Sequence, residues 1–276
     1  MTTTPDVTNL SIQQLLSLEG RCAVVTGGGV GIGEATVNRL AEAGATVFVA
    51  DRDMARARQS AERATSRHGA TCFPVEVDVA DTSAVSDLAD VAINQAGRLD
   101  IWVNNAGIYP LKAALAMTDA DWDRVINVNL KGSFAGSREA ARRMSQLERP
   151  GVIVNMSSAG GFIVGGPLVA HYVTSKHALR GLTKALALEF GPLGIRVMAV
   201  APGYIDTPGN AELIAAAVAA GAGDAEKLAA SASARRVLDR IGVPDDVARA
   251  VLFCASDMAM YCTGSALLVD AGMVAM

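Results

Sequence analysis

Tyr172 and Lys176 stand four apart in Tyr-Val-Thr-Ser-Lys, a stretch that otherwise reads as an apolar helix. A helix places residues i and i+4 on one face. A phenol with an ordinary pKa of about 10 is a poor base near neutral pH. To serve there it needs lowering by roughly 2–3 units, worth about 3–4 kcal/mol. A lysine ammonium within about 5 Å favours the phenolate by an amount of that order. The pair alone is common by chance. It gains meaning only beside a hydroxyl that binds substrate and a site for a redox cofactor.

A cofactor site is readable upstream. Thr-Gly-Gly-Gly-Val-Gly-Ile-Gly, residues 26–33, directly follows an apolar run and opens a helical one. Glycines there permit a tight turn and let phosphates approach the backbone, and the helix N-terminus favours their charge. The next apolar run, Thr-Val-Phe-Val-Ala-Asp, ends in Asp51. A carboxylate at that point can accept hydrogen bonds from both ribose hydroxyls of an adenosine, and it repels a 2′-phosphate. Val30 supplies no cation for such a phosphate. Arg52, next to Asp51, could stack on adenine or pair a phosphate. The balance favours NAD over NADP.

These residues must be positioned by the elements around them. Short β-branched or apolar runs alternate with longer helical ones. Strands are predicted over residues 21–26, 46–51, 71–79, 100–104, 151–157, 196–201 and 266–270, with helices over 33–43, 82–95, 121–144, 172–190 and 244–256 among those between them. Repeated β-α-β units give an α/β fold: a single doubly wound, Rossmann-type parallel sheet of about seven strands flanked by helices. That domain spans residues 20–276, behind an N-terminal arm of residues 1–19. Residues 204–236 interrupt the alternation. They are rich in alanine, read as two short helices, and follow the carboxyl end of a strand, where a substrate lid is expected.

Composition narrows the function. The 276 residues are 51% hydrophobic, enough for a large core, with a net charge of −4. With no basic stretch, nucleic acid is an unsuited partner. No apolar run approaches the ~18 residues of a membrane span. The N-terminus has no basic region and no long apolar segment, so no signal peptide is read. The four cysteines are scattered without a Cys-x-x-Cys pair, as expected of a cytoplasmic protein. His171 and His177 are six apart and would face different ways on a helix. No catalytic metal is expected. His171 reads as a rim or packing residue, His68 as a loop residue, and Trp102 and Trp122 as packing.

The glycine loop, Asn-Asn-Ala-Gly at 104–107 and Tyr-Val-Thr-Ser-Lys at 172–176, in this order, make the chain resemble the short-chain dehydrogenase/reductase family over roughly residues 20–272. The resemblance implies hydride transfer with a nicotinamide cofactor, commonly in a homotetramer. Residues Gly27, Gly31, Ile32 and Gly33 match its glycine loop, Asp51 and Arg52 its ribose site, and Asp78 and Val79 its adenine site. Asn104 resembles the asparagine that ties the central strands together. Asn105 and Gly107 would lie near the cofactor, as would Pro202, Gly203, Ile205 and Thr207, with Thr207 bonding the carboxamide. Asn129 matches the active-site asparagine, with Asn127 as its alternative. Ser158 matches the catalytic serine, with Ser157 as a minor alternative, because Ser158 and Tyr172 lie one residue further apart than in many relatives. Ala271 stands where the family has a glycine.

The implied catalytic set is Asn129, Ser158, Tyr172 and Lys176. Ser158 and Tyr172 bind the substrate alcohol, and Tyr172 takes its proton while hydride leaves carbon. Lys176 lowers the tyrosine pKa and holds the nicotinamide ribose. Asn129 supports a water behind Lys176. Candidate pocket residues are Ile108, Tyr109, Leu111, Phe162, Ile163, Leu168 and Tyr204, with Lys112 the one nearby cation. They suit an apolar secondary alcohol or ketone. Rival readings are an NADP-dependent carbonyl reductase, an epimerase or dehydratase that retains its cofactor, and a non-catalytic NAD-binding sensor. The helices at 121–144 and 172–190 could supply tetramer faces.

Overall fold

The computed structural model describes residues 5–219, 224, 225, 227 and 236–275. Seven strands form one parallel sheet: β1 (Cys22–Thr26), β2 (Thr46–Asp51), β3 (Cys72–Glu76), β4 (Ile101–Asn104), β5 (Gly151–Met156), β6 (Ile195–Pro202) and β7 (Ala266–Val269). Their order is β3-β2-β1-β4-β5-β6-β7. The direction of winding reverses between β1 and β4. A crevice therefore opens beyond the carboxyl ends of those two strands, where ligands bind in folds of this type.

The strands are apolar throughout because both faces are covered. Along β1, Ala23 and Val25 join the core on one face while Cys22 and Val24 join the core on the other. The first core holds Val37 and Leu40 from α2 (Gly31–Glu42) and, from α3 (Met54–His68), Ala57, Ala61 and Ala64. The second holds Leu88 from α4 (Thr82–Ala96).

Two helix ends show how local chemistry sets the loops. Asp53 and Asp81 cap α3 and α4 by accepting from backbone N–H groups two and three residues on. Gly69 and Gly97 end the same helices in the left-handed conformation, at φ 68° in each case.

The expected helix at 121–144 is not continuous. It is α5 (Asp119–Ile126) and α6 (Gly132–Gln146), joined by a π-helical turn over Asn127–Lys131. The chain keeps its direction, but the turn is wider, and Asn129 sits inside it, almost fully buried. Such turns recur at functional sites. Helix α7 (Ala170–Phe190) begins two residues before Tyr172. The third strand stops at Glu76, short of the expected 79, because the chain turns away after its last partner, Asp51. His68 closes α3 and is not a loop residue. Trp102 is fully buried, its indole nitrogen donating to Asn104 Oδ1 at 2.7 Å, whereas Trp122 is 37% exposed and is not a core residue.

The N-terminal arm carries a short capped helix, α1 (Ile12–Leu16), and then buries Leu18 completely. Its residues 1–4 lie outside the described residues. From the expected lid, α8 (Pro208–Ala219) is present, while residues 220–223, 226 and 228–235, which hold the second expected helix, lie outside them. Beyond them, α9 (Pro244–Ala255) packs closely on α2.

Ala271 adopts φ 53°, the left-handed region, with Gly272 at φ 81° beside it. Its carbonyl accepts from Val237 N–H at 2.7 Å, which fixes the turn. A side chain there costs about 1–2 kcal/mol, partly offset because glycine gains entropy when unfolded. Ala271→Gly is expected to stabilise the fold by about 0.5–1 kcal/mol, roughly 2 °C in melting temperature. An unchanged or lower melting point would show that the turn carries no strain.

Candidate active site

The glycine loop is built by close approach. A Cβ at Gly33 would lie 1.9 Å from the Gly27 carbonyl oxygen, so only glycine lets α2 start against the turn. Gly27, at φ 63°, touches Ala106 from the next strand's loop. Asn105 clamps the turn from that side: its Nδ2 donates to the carbonyls of Thr26 and Gly27, both at 3.0 Å. Ser60 of α3 donates to the Gly28 carbonyl at 2.8 Å from the other side. Asn105 thus acts on the loop itself. Val30 gives α2 no side-chain cap, which leaves the helix N-terminus to an outside anion. Gly31, at φ 61°, opens the loop toward Thr207, whose side chain would be 3.6 Å from a Cβ there. Ile32 packs its side chain against the core.

Asp51 closes β2 and faces this loop. Its Oδ2 accepts from Gly29 N–H and its Oδ1 from Asp53 N–H, each at 3.0 Å. These bonds fix the carboxylate and leave lone pairs for further donors. Arg52 is exposed beside it. Asp78 is exposed and accepts from Ala80 N–H at 2.9 Å, while Val79 is buried against Gly132. On the far side, Pro202 ends β6 and Gly203 packs on Asp270, where a Cβ would come within 2.8 Å of a backbone carbon. Ile205 is 3% exposed, and its carbonyl accepts from Asn210 Nδ2 at 2.6 Å. These elements fit a dinucleotide: a glycine cradle, an uncapped helix start and a fixed carboxylate at its end.

The chemistry-bearing side chains meet where β4, β5 and α7 converge. Ser158 bonds Tyr172. Ser157 is spent elsewhere, its hydroxyl donating to the Lys176 carbonyl at 3.1 Å, so Ser158 is the serine that faces the tyrosine. Lys176 is 5% exposed, and its Nζ donates to the Met156 carbonyl at 2.7 Å. It stands 5.7 Å from the centre of the Tyr172 ring. Gly107 lies beside it, since a Cβ there would be 3.4 Å from Asn129 Oδ1 and 3.7 Å from Lys176 Nζ.

Asn129 is committed to the chain. It accepts from Ile108 N–H at 2.8 Å and donates to the Ile108 carbonyl at 2.9 Å and to Ser175 Oγ at 3.1 Å. Both amide protons are used, so it holds the 107–108 loop against Lys176 before it holds any water. Ser175 in turn donates to the Tyr172 carbonyl at 2.7 Å. Ser175 is a positioning residue that its own i+3 spacing from Tyr172 could have revealed. Asn104 bridges strands β4 and β5 by donating to Asn155 Oδ1 at 2.8 Å, and reaches Ser137 on α6 as well.

The tyrosine pKa departs from expectation. Burial pushes the Tyr172 phenol above its usual value; contact with Ser158 opposes this, and Tyr109 adds to it. Burial also pushes Lys176 down to about 8. The lysine is desolvated and turned to a backbone carbonyl, so it does not lower the phenol in this state. His171 is fully buried, its Nδ1 accepting from Tyr172 N–H at 2.9 Å, with its Nε2 unpartnered. Lys112 pairs with Asp121 at 3.4 Å. Phe162 is covered by the Arg180 guanidinium, 3.6 Å from its ring centre.

The chain matches known proteins across this whole frame. A family described as enoyl-(acyl carrier protein) reductase matches residues 28–274. The 3beta-hydroxysteroid dehydrogenase 1 of Eggerthella lenta is 40% identical, over 93% of this chain and 94% of that protein. A 3-oxoacyl-(acyl-carrier-protein) reductase of Thermotoga maritima is 37% identical, over 94% and 100%. A crystal structure described as an NAD(P)-dependent gluconate 5-dehydrogenase from Beutenbergia cavernae, with NADP bound at low occupancy, superposes with a TM-score of 0.85 at 36% identity, over 95% of this chain and 100% of that one. With the ordered motifs, the parallel sheet and these relatives in agreement, the chain belongs to the short-chain dehydrogenase/reductase family, which binds NAD or NADP and to which these oxidoreductases belong.

Proposed function

We propose that the protein is an NAD-dependent dehydrogenase/reductase of secondary alcohols and ketones with apolar, cyclic substituents. The observation that carries the cofactor choice is Asp51, a fixed carboxylate at the end of β2 that a 2′-phosphate would meet. The substrate class is supported by the residue types of the loops that follow β4 and β5. Tyr109, Leu111, Phe162 and Leu168 are apolar or aromatic; of the cations beside them, Lys112 is paired with Asp121 and the Arg180 guanidinium covers the Phe162 ring. A relative named for a hydroxysteroid, 40% identical, agrees with that class.

Ser158 and Tyr172 together receive the substrate hydroxyl, and the phenolic oxygen of Tyr172 takes its proton. When bound, the oxidised nicotinamide supplies the hydride acceptor and a positive charge near the phenol. Lys176 holds the ribose hydroxyls and, turned from Met156, adds its charge to the phenolate. Asn129 and Ser175 keep that lysine and tyrosine in register. In the reducing direction Tyr172 gives the proton back to a carbonyl oxygen.

The same proposal places the protein as a homotetramer in the cytoplasm. The expected faces on α6 and α7 expose Phe134 and Leu188. Burial pushes the thiols of Cys22 and Cys254 up to about 12, which suits inert cysteines in a reducing setting.

The test is a panel of hydroxysteroids, cyclic secondary alcohols, sugars and sugar phosphates with NAD, followed by absorbance of the reduced cofactor. NAD-linked turnover of the apolar cyclic alcohols supports the reading. Turnover confined to sugars or phosphorylated compounds overturns the substrate class.

A further inference from the structure

Tyr109 reaches from the loop after β4 to the lid helix. Its ring meets the Tyr172 ring edge-on, with centres 6.0 Å apart and planes at 64°. Its hydroxyl lies over the first turn of α8, where a Cβ on Gly209 would stand 2.2 Å from the oxygen and 3.4 Å from Cζ. Gly209 is not in the left-handed region, so its backbone does not require glycine. The Tyr109 hydroxyl takes the space a Cβ would fill, so an added side chain must displace it. The same hydroxyl bonds the side chain of Thr207. Thr207 accepts from Asn210 N–H at 3.2 Å at the start of α8, and faces Gly31 across the groove.

We propose that Tyr109 is a positioning residue that latches the lid: its hydroxyl, seated over Gly209 and against Thr207, fixes the first turn of α8 to Tyr172 and sets Thr207 at the cofactor groove. This rests on the reading of the groove as a nicotinamide site. A threonine hydroxyl has two acceptor lone pairs and one proton. The Asn210 N–H fills one lone pair, and the Tyr109 hydroxyl occupies a second position around the same Thr207 oxygen. The latch thus joins three elements that are distant in sequence, the loop after β4, α7 and α8, at the point where cofactor and substrate must meet.

The test is a double-mutant cycle on the full chain with Tyr109→Phe, Gly209→Ala and both together. Two quantities are read: the melting temperature without cofactor, and the affinity for NADH and NADPH from nicotinamide fluorescence. Gly209→Ala alone is expected to lower the melting temperature and to weaken reduced-cofactor binding by about tenfold, because an overpacked contact must open. Tyr109→Phe alone is expected to weaken binding by about threefold to tenfold through the lost hydrogen bond. Phenylalanine ends at Cζ, 3.4 Å from the added carbon, which is ordinary contact. In the Tyr109→Phe background Gly209→Ala should therefore leave affinity unchanged and raise the melting temperature, since alanine is the better helix former. Equal costs of Gly209→Ala in both backgrounds, or a silent Gly209→Ala in the wild-type background, overturn the latch. A wild type that binds neither reduced cofactor overturns the site reading, and the latch with it.

Discussion

Tyr172→Phe is expected to lower kcat by about a thousandfold while cofactor affinity changes less than about threefold. The substitution removes one oxygen and nothing else of substance. The phenylalanine ring keeps the edge contact with Tyr109 and the packing near Lys176. What disappears is the atom that takes or gives the substrate proton, and positioned proton transfer contributes about 10²–10⁴-fold. The pH dependence follows from the same atom. Oxidation needs the phenolate, so its rate rises with pH; reduction needs the phenol, so its rate falls. Burial, with Tyr109 adding to it, holds the phenol above its usual value, and burial pushes Lys176 down to about 8. Two consequences follow for the oxidation profile. The phenolate must be stabilised by charge that arrives with the cofactor, and the lysine's share of that charge fades above about pH 8. Steady-state rates at saturating cofactor, with a parallel fluorescence titration, separate the effects. Activity in the variant within tenfold of wild type would remove Tyr172 from the proton path.

The elements that carry this chemistry differ in how far they can be read from sequence. The strands are legible because helices cover both faces of the sheet, so Cys22–Thr26 and its neighbours are apolar at every position. The ordered motifs are legible because each needs a residue type that nothing else replaces: glycine at Gly33, where a side chain would strike the Gly27 carbonyl, and a carboxylate at Asp51. Helix α3 is periodic but only weakly apolar, since its buried face is Ala57, Ser60, Ala61 and Ala64, all small. The π-helical turn at Asn127–Lys131 is also hidden. One extra residue in a turn leaves no mark on the apolar spacing, yet it is what brings Asn129 to Ile108 and Ser175. The pKa of Tyr172 could not be read at all. Its sign depends on depth of burial and on where the Lys176 ammonium points, and both are set by the packing of α7 on β5 and the loop at Gly107. The opposing roles of Ser157 and Ser158 likewise come from the backbone: one hydroxyl turns to the Lys176 carbonyl and the other to the tyrosine.

Asp51→Ala is expected to exchange the cofactor preference, shifting the ratio of kcat/KM for NAD over NADP by about a thousandfold toward NADP. The carboxylate is held by Gly29 and Asp53 N–H groups and still has lone pairs for two ribose hydroxyls. Losing two such bonds to a charged acceptor costs NAD about 3 kcal/mol, or roughly a hundredfold. NADP gains because a like charge no longer stands beside its 2′-phosphate, a term of about 1–2 kcal/mol at a half-exposed site. Two further features push the same way. The two backbone N–H groups lose their acceptor and turn to the incoming phosphate, and the exposed Arg52 and Arg56 stand near enough in sequence to follow. Arg56 now pairs with Asp53 at 3.3 Å, a surface contact worth little and easily exchanged. The family frame alone does not decide the matter, because a structure that shares this fold at 36% identity holds NADP. The decision lies in the residue at the end of β2, whose charge either faces the phosphate or is absent. Measuring both cofactors with one substrate, in wild type and variant, isolates it. A wild type that prefers NADP, or a variant whose ratio moves less than tenfold, would show that the arginines and not Asp51 govern the ribose site.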